Sequence, residues 1–520
     1  MASSGDCTKN DGSRRSSSNL INPPSSKKRK VRINGAEETL DLLSELPESL
    51  LIQILSLLPT KDAFTTCILS KRWQYLWTSV YNFKFTRRSF RKPKHFISFV
   101  DYVLAHSVCS KIKRFEIDCT YLFRYNYNSH ICRWLSFAVE RKLENVVVRS
   151  NSETSAFKLP ESFCTCSSLI TLDLTSCCFD ADVVIAWKSV KSIRFDAFVL
   201  FDKDILNVLS GCPALETLEL DIVEGLRRLE IRSSKLKRLK LQDYWLSNDG
   251  GDHTLEIFAP YLQHLEISGD LDDLKCRLID VSSVVNAKLT FNIRCIKDIR
   301  DDHGEEFDDA EDSCREYHQV FRTLVQYYLQ KFSCATELTI GTWFTKVLCM
   351  LQYEGVQIPE LKCKYLTLEL HMDKFNLYGV AGLLRALPHV ETLVIDIESM
   401  RFDYSRCHFE SRDLAKGNKI DLQSLSSSFV LPNLKNVMIV NPSGVCLKDQ
   451  FKSRYVKKLS KLSEFLLTNA SVLEKFVIIS KKRRCQTCSM NCVSQYLFGF
   501  AEKLLGCPKS STNSVIIFQE

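Results

Sequence analysis

From about residue 110 to residue 480 one short pattern keeps returning along the chain. An apolar residue is followed by two residues of any kind, then by two apolar residues separated by one polar position. The copies are Ile112/Phe115/Ile117, Leu143/Val146/Val148, Leu169/Leu172/Leu174, Val190/Ile193/Phe195, Leu215/Leu218/Leu220, Leu236/Leu239/Leu241 and Leu262/Leu265/Ile267. A weaker copy is Asn286/Leu289/Phe291, and the series resumes at Ala335/Leu338/Ile340, Cys363/Leu366/Leu368, Val390/Leu393/Ile395, Leu434/Val437/Ile439 and Leu473/Phe476/Ile478. The last two apolar positions of each copy alternate with a polar one, so they point to the same face of a short strand. The first anchors the turn that leads into it.

One copy cannot bury its apolar face, whereas stacked neighbours share a continuous core. Through the best-behaved stretch the copies recur about every 21–31 residues, the period of a leucine-rich repeat. The chain therefore predicts an α/β fold in which residues 110–400 form an irregular solenoid of short parallel strands. Two matches fall out of step, Leu226/Leu229/Ile231 and Thr254–Phe258, each only about ten residues from an in-phase copy. They predict extra strands on the return side of the coils, with a local sheet insertion as the alternative. Between Phe291 and Ala335 the rhythm breaks. Residues 301–312 hold eight Asp and Glu and no Lys or Arg, which predicts a solvated acidic insertion near 298–313. Tyr317, Phe321, Leu324, Val325 and Tyr328 then recur with helical spacing.

Before residue 110 the pattern is helical. Leu46, Leu50, Leu51, Ile54, Leu55 and Leu58 recur at three- and four-residue steps. Pro59 stops that helix, Thr60 can cap a second, and Ser70 can cap a third that carries Trp73, Leu76 and Trp77 on one stripe. Three helices in so few residues make a very small core with apolar surface to spare, which suits docking onto a partner.

Composition adds location more than chemistry. The 520 residues are 45% hydrophobic and 25% charged, ordinary for a folded globular protein. The net charge of +8 sits almost wholly in the first 35 residues, which carry eight Lys or Arg against Asp6 and Asp11. A near-neutral body gives no broad surface for nucleic acid. Residues 1–38 are too polar to bury a core and predict a disordered basic tail. Within it Lys27, Lys28, Arg29, Lys30 and Arg32 resemble a nuclear import signal, with Arg14 and Arg15 at bipartite spacing. The polar N-terminus has no apolar secretory leader, and no apolar run reaches the roughly 18 residues that span a bilayer. The 22 cysteines are accordingly expected to be reduced thiols rather than a disulfide framework.

The stretch LPESLLIQILSLLPTKDAFTTCILSKRWQYLW resembles the F-box of plant F-box proteins: its LP start, LPTKDA turn and LSKRW…LW finish occur in order. Cys67 stands where Ser or Thr is commoner. The resemblance places an F-box over 40–86. It implies binding to the Skp-type adaptor of a cullin–RING ubiquitin ligase, through Leu46, Pro47, Leu51, Ile54, Leu55, Leu58, Pro59, Leu69, Trp73, Leu76 and Trp77, shared between that interface and the small core. Farther on, VLPNLKNVMIVN and LSEFLLTNASVLEKFVIIS resemble the FBD domain that follows F-box and repeat regions in plant proteins, here over 425–482. Pro442–Lys461 departs from that domain's pattern in being basic. This module would cap the last coil, leaving 483–520 as a C-terminal segment.

No phosphate-binding glycine loop, H-E-x-x-H or G-x-S-x-G occurs, and no context singles out a nucleophilic cysteine, so no catalytic residue and no cofactor are expected. Cys485 and Cys488 form a C-x-x-C zinc half-site, but with Cys492 the cluster still falls short of four ligands and reads as ordinary thiols; no metal is expected. What remains is the outward face of the repeat strands. There Asp173, Glu219, Lys240, Glu266, Glu369 and Asp396 form a mixed-sign stripe suited to a protein partner. The resemblance thus implies a non-enzymatic substrate receptor of a Skp–cullin–F-box ligase, contacting the cullin through the adaptor and holding an unnamed protein substrate. A repeat scaffold that binds the adaptor without delivering anything for degradation is the alternative. Neither a membrane nor nucleic acid is an expected partner, and the import signal implies the nucleus, with the cytoplasm also open.

Overall fold

The computed structural model describes residues 46–120, 127–150, 156–180, 182–243, 254–272, 275–294, 310–353, 355–370, 374–397, 429–441, 450–480 and 500–519. The basic cluster Lys27–Arg32, most of the acidic stretch and Cys485, Cys488 and Cys492 lie outside the described residues. From Ser49 onward the chain forms one unit.

In chain order the strands are β1 (Asn82–Thr86), β2 (Arg114–Asp118), β3 (Asn145–Arg149), β4 (Phe157–Lys158), β5 (Thr171–Thr175), β6 (Cys177–Cys178), β7 (Ser192–Val199) and β8 (Thr217–Glu224). Then come β9 (Arg228–Glu230), β10 (Arg238–Gln242), β11 (Thr254–Phe258), β12 (His264–Asp272), β13 (Lys275–Asp280) and β14 (Asn286–Arg294). The last are β15 (Glu337–Gly341), β16 (Tyr365–Leu370), β17 (Thr392–Ile397), β18 (Asn436–Asn441), β19 (Lys475–Ser480) and β20 (Val515–Gln519). Fifteen of these build one parallel sheet, β1-β2-β3-β5-β7-β8-β10-β12-β14-β15-β16-β17-β18-β19-β20. Each joins its neighbour in the order of the sequence, as a right-handed coil with one strand per turn requires.

Register makes the apolar pairs into two continuous rows. Phe115, Val146, Leu172, Ile193, Leu218, Leu239 and Leu265 lie side by side, with Ile117, Val148, Leu174, Phe195, Leu220, Leu241 and Ile267 as the second row. All are buried. At β14 the expected copy is two residues out. Leu265 pairs with Ala287 and Ile267 with Leu289, so the true copy is Val284/Ala287/Leu289. A methyl side chain at the central position had hidden it.

The sheet also begins and ends outside the predicted limits. Val80, Phe83 and Phe85 follow the same spacing, are buried, and place β1 against β2, so the end of the helical block is already the first coil. At the far end β20 pairs in register with β19, beyond the coil expected to be last. Its anchor position is Asn513 rather than an apolar residue, which removes the sequence signal.

The return side varies. The two out-of-step matches are β9 and β11, joined by β13 in a separate parallel sheet, β13-β11-β9. β4 and β6 form a smaller one. Elsewhere the return is helical: Pro93–His106, Asn128–Glu140, Asp202–Gly211, Ala310–Lys331, Thr342–Tyr353, Lys374–Arg385 and Gln450–Asn469. Where the coil turns from the main sheet toward its return side, Ser176, Ala197, Ile222, Asp243 and Gly269 occupy the same position, two residues past the second inward side chain. All five have left-handed φ, between 43° and 82°. That backbone turns the corner, at a steric cost wherever the residue is not glycine.

Candidate functional site

The helical block is α1 (Glu48–Leu55), α2 (Thr60–Thr65), a 3₁₀ turn over Thr66–Ile68 and a second over Leu76–Ser79. The expected third helix is thus a series of turns ending in one short 3₁₀ segment. Trp73, Leu76 and Trp77 still reach the interior. Phe64 packs edge-on against Trp77, centroids 5.0 Å apart, and against Phe99 of helix Pro93–His106 at 5.5 Å. Trp77 stacks on Tyr102 of the same helix. The block is therefore closed by the first solenoid helix and not by its own third helix. Polar ties join it to the sheet as well. The Thr60 hydroxyl accepts the Lys84 amide at 2.7 Å, and Asn82 Nδ2 donates to the Ser56 carbonyl at 3.1 Å.

This packing sorts the residues expected at the adaptor interface. Leu51, Leu55, Trp73, Leu76 and Trp77 are buried and hold the block together. Ile54, Leu58, Pro59 and Leu69 are exposed, as is Pro47, while Leu46 is half-buried. The structure adds Leu50, Tyr75 and above all Leu57 and Ile68, which are 81% and 84% exposed. On α1, Leu51 and Leu55 lie inward one turn apart, and Leu50 and Ile54 form the neighbouring, exposed stripe about 100° round the helix. A run this dense in leucine shows its three- and four-residue spacing on two faces at once, so periodicity alone could not separate them. The result is an uncovered apolar patch on a knob whose core is already satisfied.

The second surface is the outward face of the long sheet. The residue between each inward pair forms one row across the molecule: Lys84, Glu116, Val147, Asp173, Arg194, Glu219, Lys240, Glu266 and Lys288, in register from β1 to β14. All but Val147 are charged; from Asp173 to Lys288 the signs alternate, and the charges pair. Glu116 is buried between Lys84 at 3.2 Å and Arg114 at 3.3 Å. Arg194 reaches Asp173 at 3.1 Å, Asp196 at 3.3 Å and Asp221 at 2.6 Å. Lys288 lies 3.7 Å from Glu266 and 3.0 Å from Glu369, and Lys240 lies 3.8 Å from Glu266. Burial, then the charge of Asp196, pushes the Asp221 carboxyl up against the opposing pull of Arg194.

All six expected partner-facing residues are half-buried on this face. Asp173, Glu219, Lys240 and Glu266 share the central row, whereas Glu369 and Asp396 pair with each other two residues farther along their strands. The cations Arg149, Arg194 and Lys288 complete the ladder. Reading each repeat alone misses them, and aligning the copies position by position finds them. Beyond β14 the row becomes Thr339, Thr367, Val394, Met438, Val477 and Ile517. The outward face is therefore charged in its first part and apolar in its last.

Six of the buried thiols among the described residues are held protonated. Burial pushes Cys164, Cys212, Cys276 and Cys363 up to about 12, and Cys119 and Cys177 rise with the same leading cause. Such groups stay protonated at neutral pH. Among the described residues no group of three or more His, Cys, Asp or Glu side chains could hold a metal ion. None of the described helices is long and apolar enough to cross a membrane.

The helical knob and the one-strand-per-coil parallel solenoid correspond to an F-box region followed by leucine-rich repeats. Comparison with known families agrees: residues 43–85 match the F-box domain, and residues 131–289 match the leucine-rich repeats of the FBD-associated F-box protein At5g56370. Among similar proteins of Arabidopsis thaliana, F-box/LRR-repeat protein At5g02910 is 29% identical over 362 residues, covering 68% of this chain and 72% of its own. F-box/LRR-repeat protein At3g03360 is 28% identical, covering 69% and 71%. F-box protein At5g03100 is 27% identical over 323 residues, covering 61% of this chain and 94% of its own. Residues 425–482 lie outside both matched regions.

Proposed function

We propose that the protein is a non-catalytic substrate receptor of a Skp–cullin–F-box ubiquitin ligase. The observation that carries this is the exposed apolar patch of Leu50, Ile54, Leu57, Leu58, Ile68 and Leu69 on a block that matches the F-box domain. F-box domains bind Skp1-type adaptors. Covering a Leu or Ile side chain contributes roughly 1.5–3 kcal/mol, enough for a few such residues to dominate an interface. The sheet's outward face then holds a protein substrate, and ubiquitination follows from proximity to a conjugating enzyme rather than from any group on this chain. The buried, protonated thiols support that non-enzymatic role. The FBD resemblance over 425–482 and nuclear import through Lys27–Arg32 belong to the same proposal.

The test is binding of the purified full chain to a Skp-type adaptor. Leu57→Ser with Ile68→Ser should weaken it at least about tenfold, a change worth about 1.4 kcal/mol, and leave the thermal midpoint unchanged. Equal affinity in the double variant would overturn the adaptor assignment. Accumulation of a bound partner on proteasome inhibition separates a degradative receptor from a scaffold.

A further inference from the structure

The two ends of the long sheet are finished differently. At the first, the F-box covers the edge: the outward amide of Lys84 in β1 donates to the Thr60 hydroxyl, and Ser56 lies beside Tyr81 and Asn82. At the last strand, β20, nothing comparable is present among the described residues. The Val515 amide donates to the Glu474 carbonyl at 2.9 Å, so Val515, Ile517 and Gln519 direct their backbone groups to β19. By the alternation of a parallel strand, the amides and carbonyls of Ile516 and Phe518 point away from the sheet.

The core is open there too. Phe476 and Ile478 of β19 are fully buried, whereas their neighbours Ile516 and Phe518 are half-buried and 37% exposed. Val515, at 56%, and Leu505, at 64%, add to the exposed apolar surface of this last coil. β20 reads VIIFQ, without the lysine or proline that usually guards an edge strand.

We propose that this edge pairs with the same edge of a second copy of the chain, antiparallel, about a two-fold axis at Ile517. The strand is self-complementary in that arrangement. Ile516 stands opposite Phe518 of the second copy. These are the residues whose polar groups point away from the sheet, so each such pair exchanges both its N–H···O bonds. They are also the inward-facing residues, so the apolar core of one solenoid continues into the other. Ile517 meets its own copy as a non-hydrogen-bonded pair on the outer face, where Cα atoms approach to about 4.5 Å. A two-fold pairing closes after two chains and does not build a filament. The inference is independent of the adaptor reading, since the F-box lies at the opposite end of the strand order.

The mass of the full-length chain in solution, by light scattering or sedimentation at tens of micromolar, is the first measurement. Twice the chain mass is expected, falling to one chain mass in Ile517→Lys, which sets two like charges together on a half-exposed site and leaves the thermal midpoint in place. The second measurement is mild oxidation of Ile517→Cys, which should yield a covalent dimer absent from the oxidised parent. Val515→Cys should yield none, because its Cα lies about 13 Å from its own copy in this register. A parent of single-chain mass, a variant Ile517→Lys that stays at double mass, or equal cross-linking at 515 and 517 would each overturn the proposal.

Discussion

At the scale of single residues, the molecule separates side chains that look alike in sequence. Leu55 and Leu57 are two positions apart, yet one is buried and the other is 81% exposed. Trp77→Ala, which removes the ring under Phe64 and Tyr102, should cost about 3–5 kcal/mol and lower the unfolding midpoint, the reverse of the surface variants at Leu57 and Ile68. Ala197 is exposed and holds φ at 50°, where a Cβ is unfavourable. Ala197→Gly should therefore stabilise by about 0.5–1 kcal/mol, read as a higher thermal midpoint. Arg194 stands among four carboxylates, Asp173, Asp196, Asp221 and, at 3.9 Å, Glu219, and Arg194→Ala leaves them facing one another. A loss of about 1–3 kcal/mol is expected at pH 7, given that the guanidinium is partly solvated. The folded pKa of Asp221 is raised, so its contribution to stability is full below the ordinary carboxylate value and is lost as pH climbs through the raised one. The penalty for losing Arg194 should accordingly be larger at pH 7 than at pH 4.5, which denaturant midpoints at the two values will show.

At the scale of elements, most strands were legible where the anchor and both inward positions carried large apolar side chains, as at Leu218/Leu220 or Leu366/Leu368, although Val80/Phe83/Phe85 of β1 went unread at the end of the helical block. Others were misread where one of the three positions was small or polar. Ala287 shifted the apparent register of β14 by two residues, and Asn513 concealed β20 altogether. The small residue at 287 is required by its surroundings, since it lies fully buried between Leu265 and Leu338. Ala287→Leu should overpack that layer and cost about 1–3 kcal/mol, measurable as a lower unfolding midpoint. The third F-box helix failed for a different reason. Its tryptophan stripe is satisfied by helix Pro93–His106, so the local backbone needs only turns to deliver the rings. The ion-pair ladder was half legible: Asp173, Glu219, Lys240, Glu266 and Glu369 could be named from single repeats. A contact such as Lys288 to Glu369 joins residues far apart in sequence, and only the stacking of coils brings them together.

At the scale of the whole molecule, each coil touches chiefly its two neighbours, so stability is a chain of local interfaces rather than one shared core. The face that carries the charged ladder changes to Val394, Met438, Val477 and Ile517 toward the end, giving a partner polar register at one part and apolar contact at another. The union of the F-box with β1 bears on how such proteins can be recombined. A chimera cut at residue 86, where the domain match has just ended, would strip Phe64 and Trp77 of Phe99 and Tyr102 and would expose the joint. The transplantable piece runs through His106: the knob travels with the first turn of the spring it is welded to.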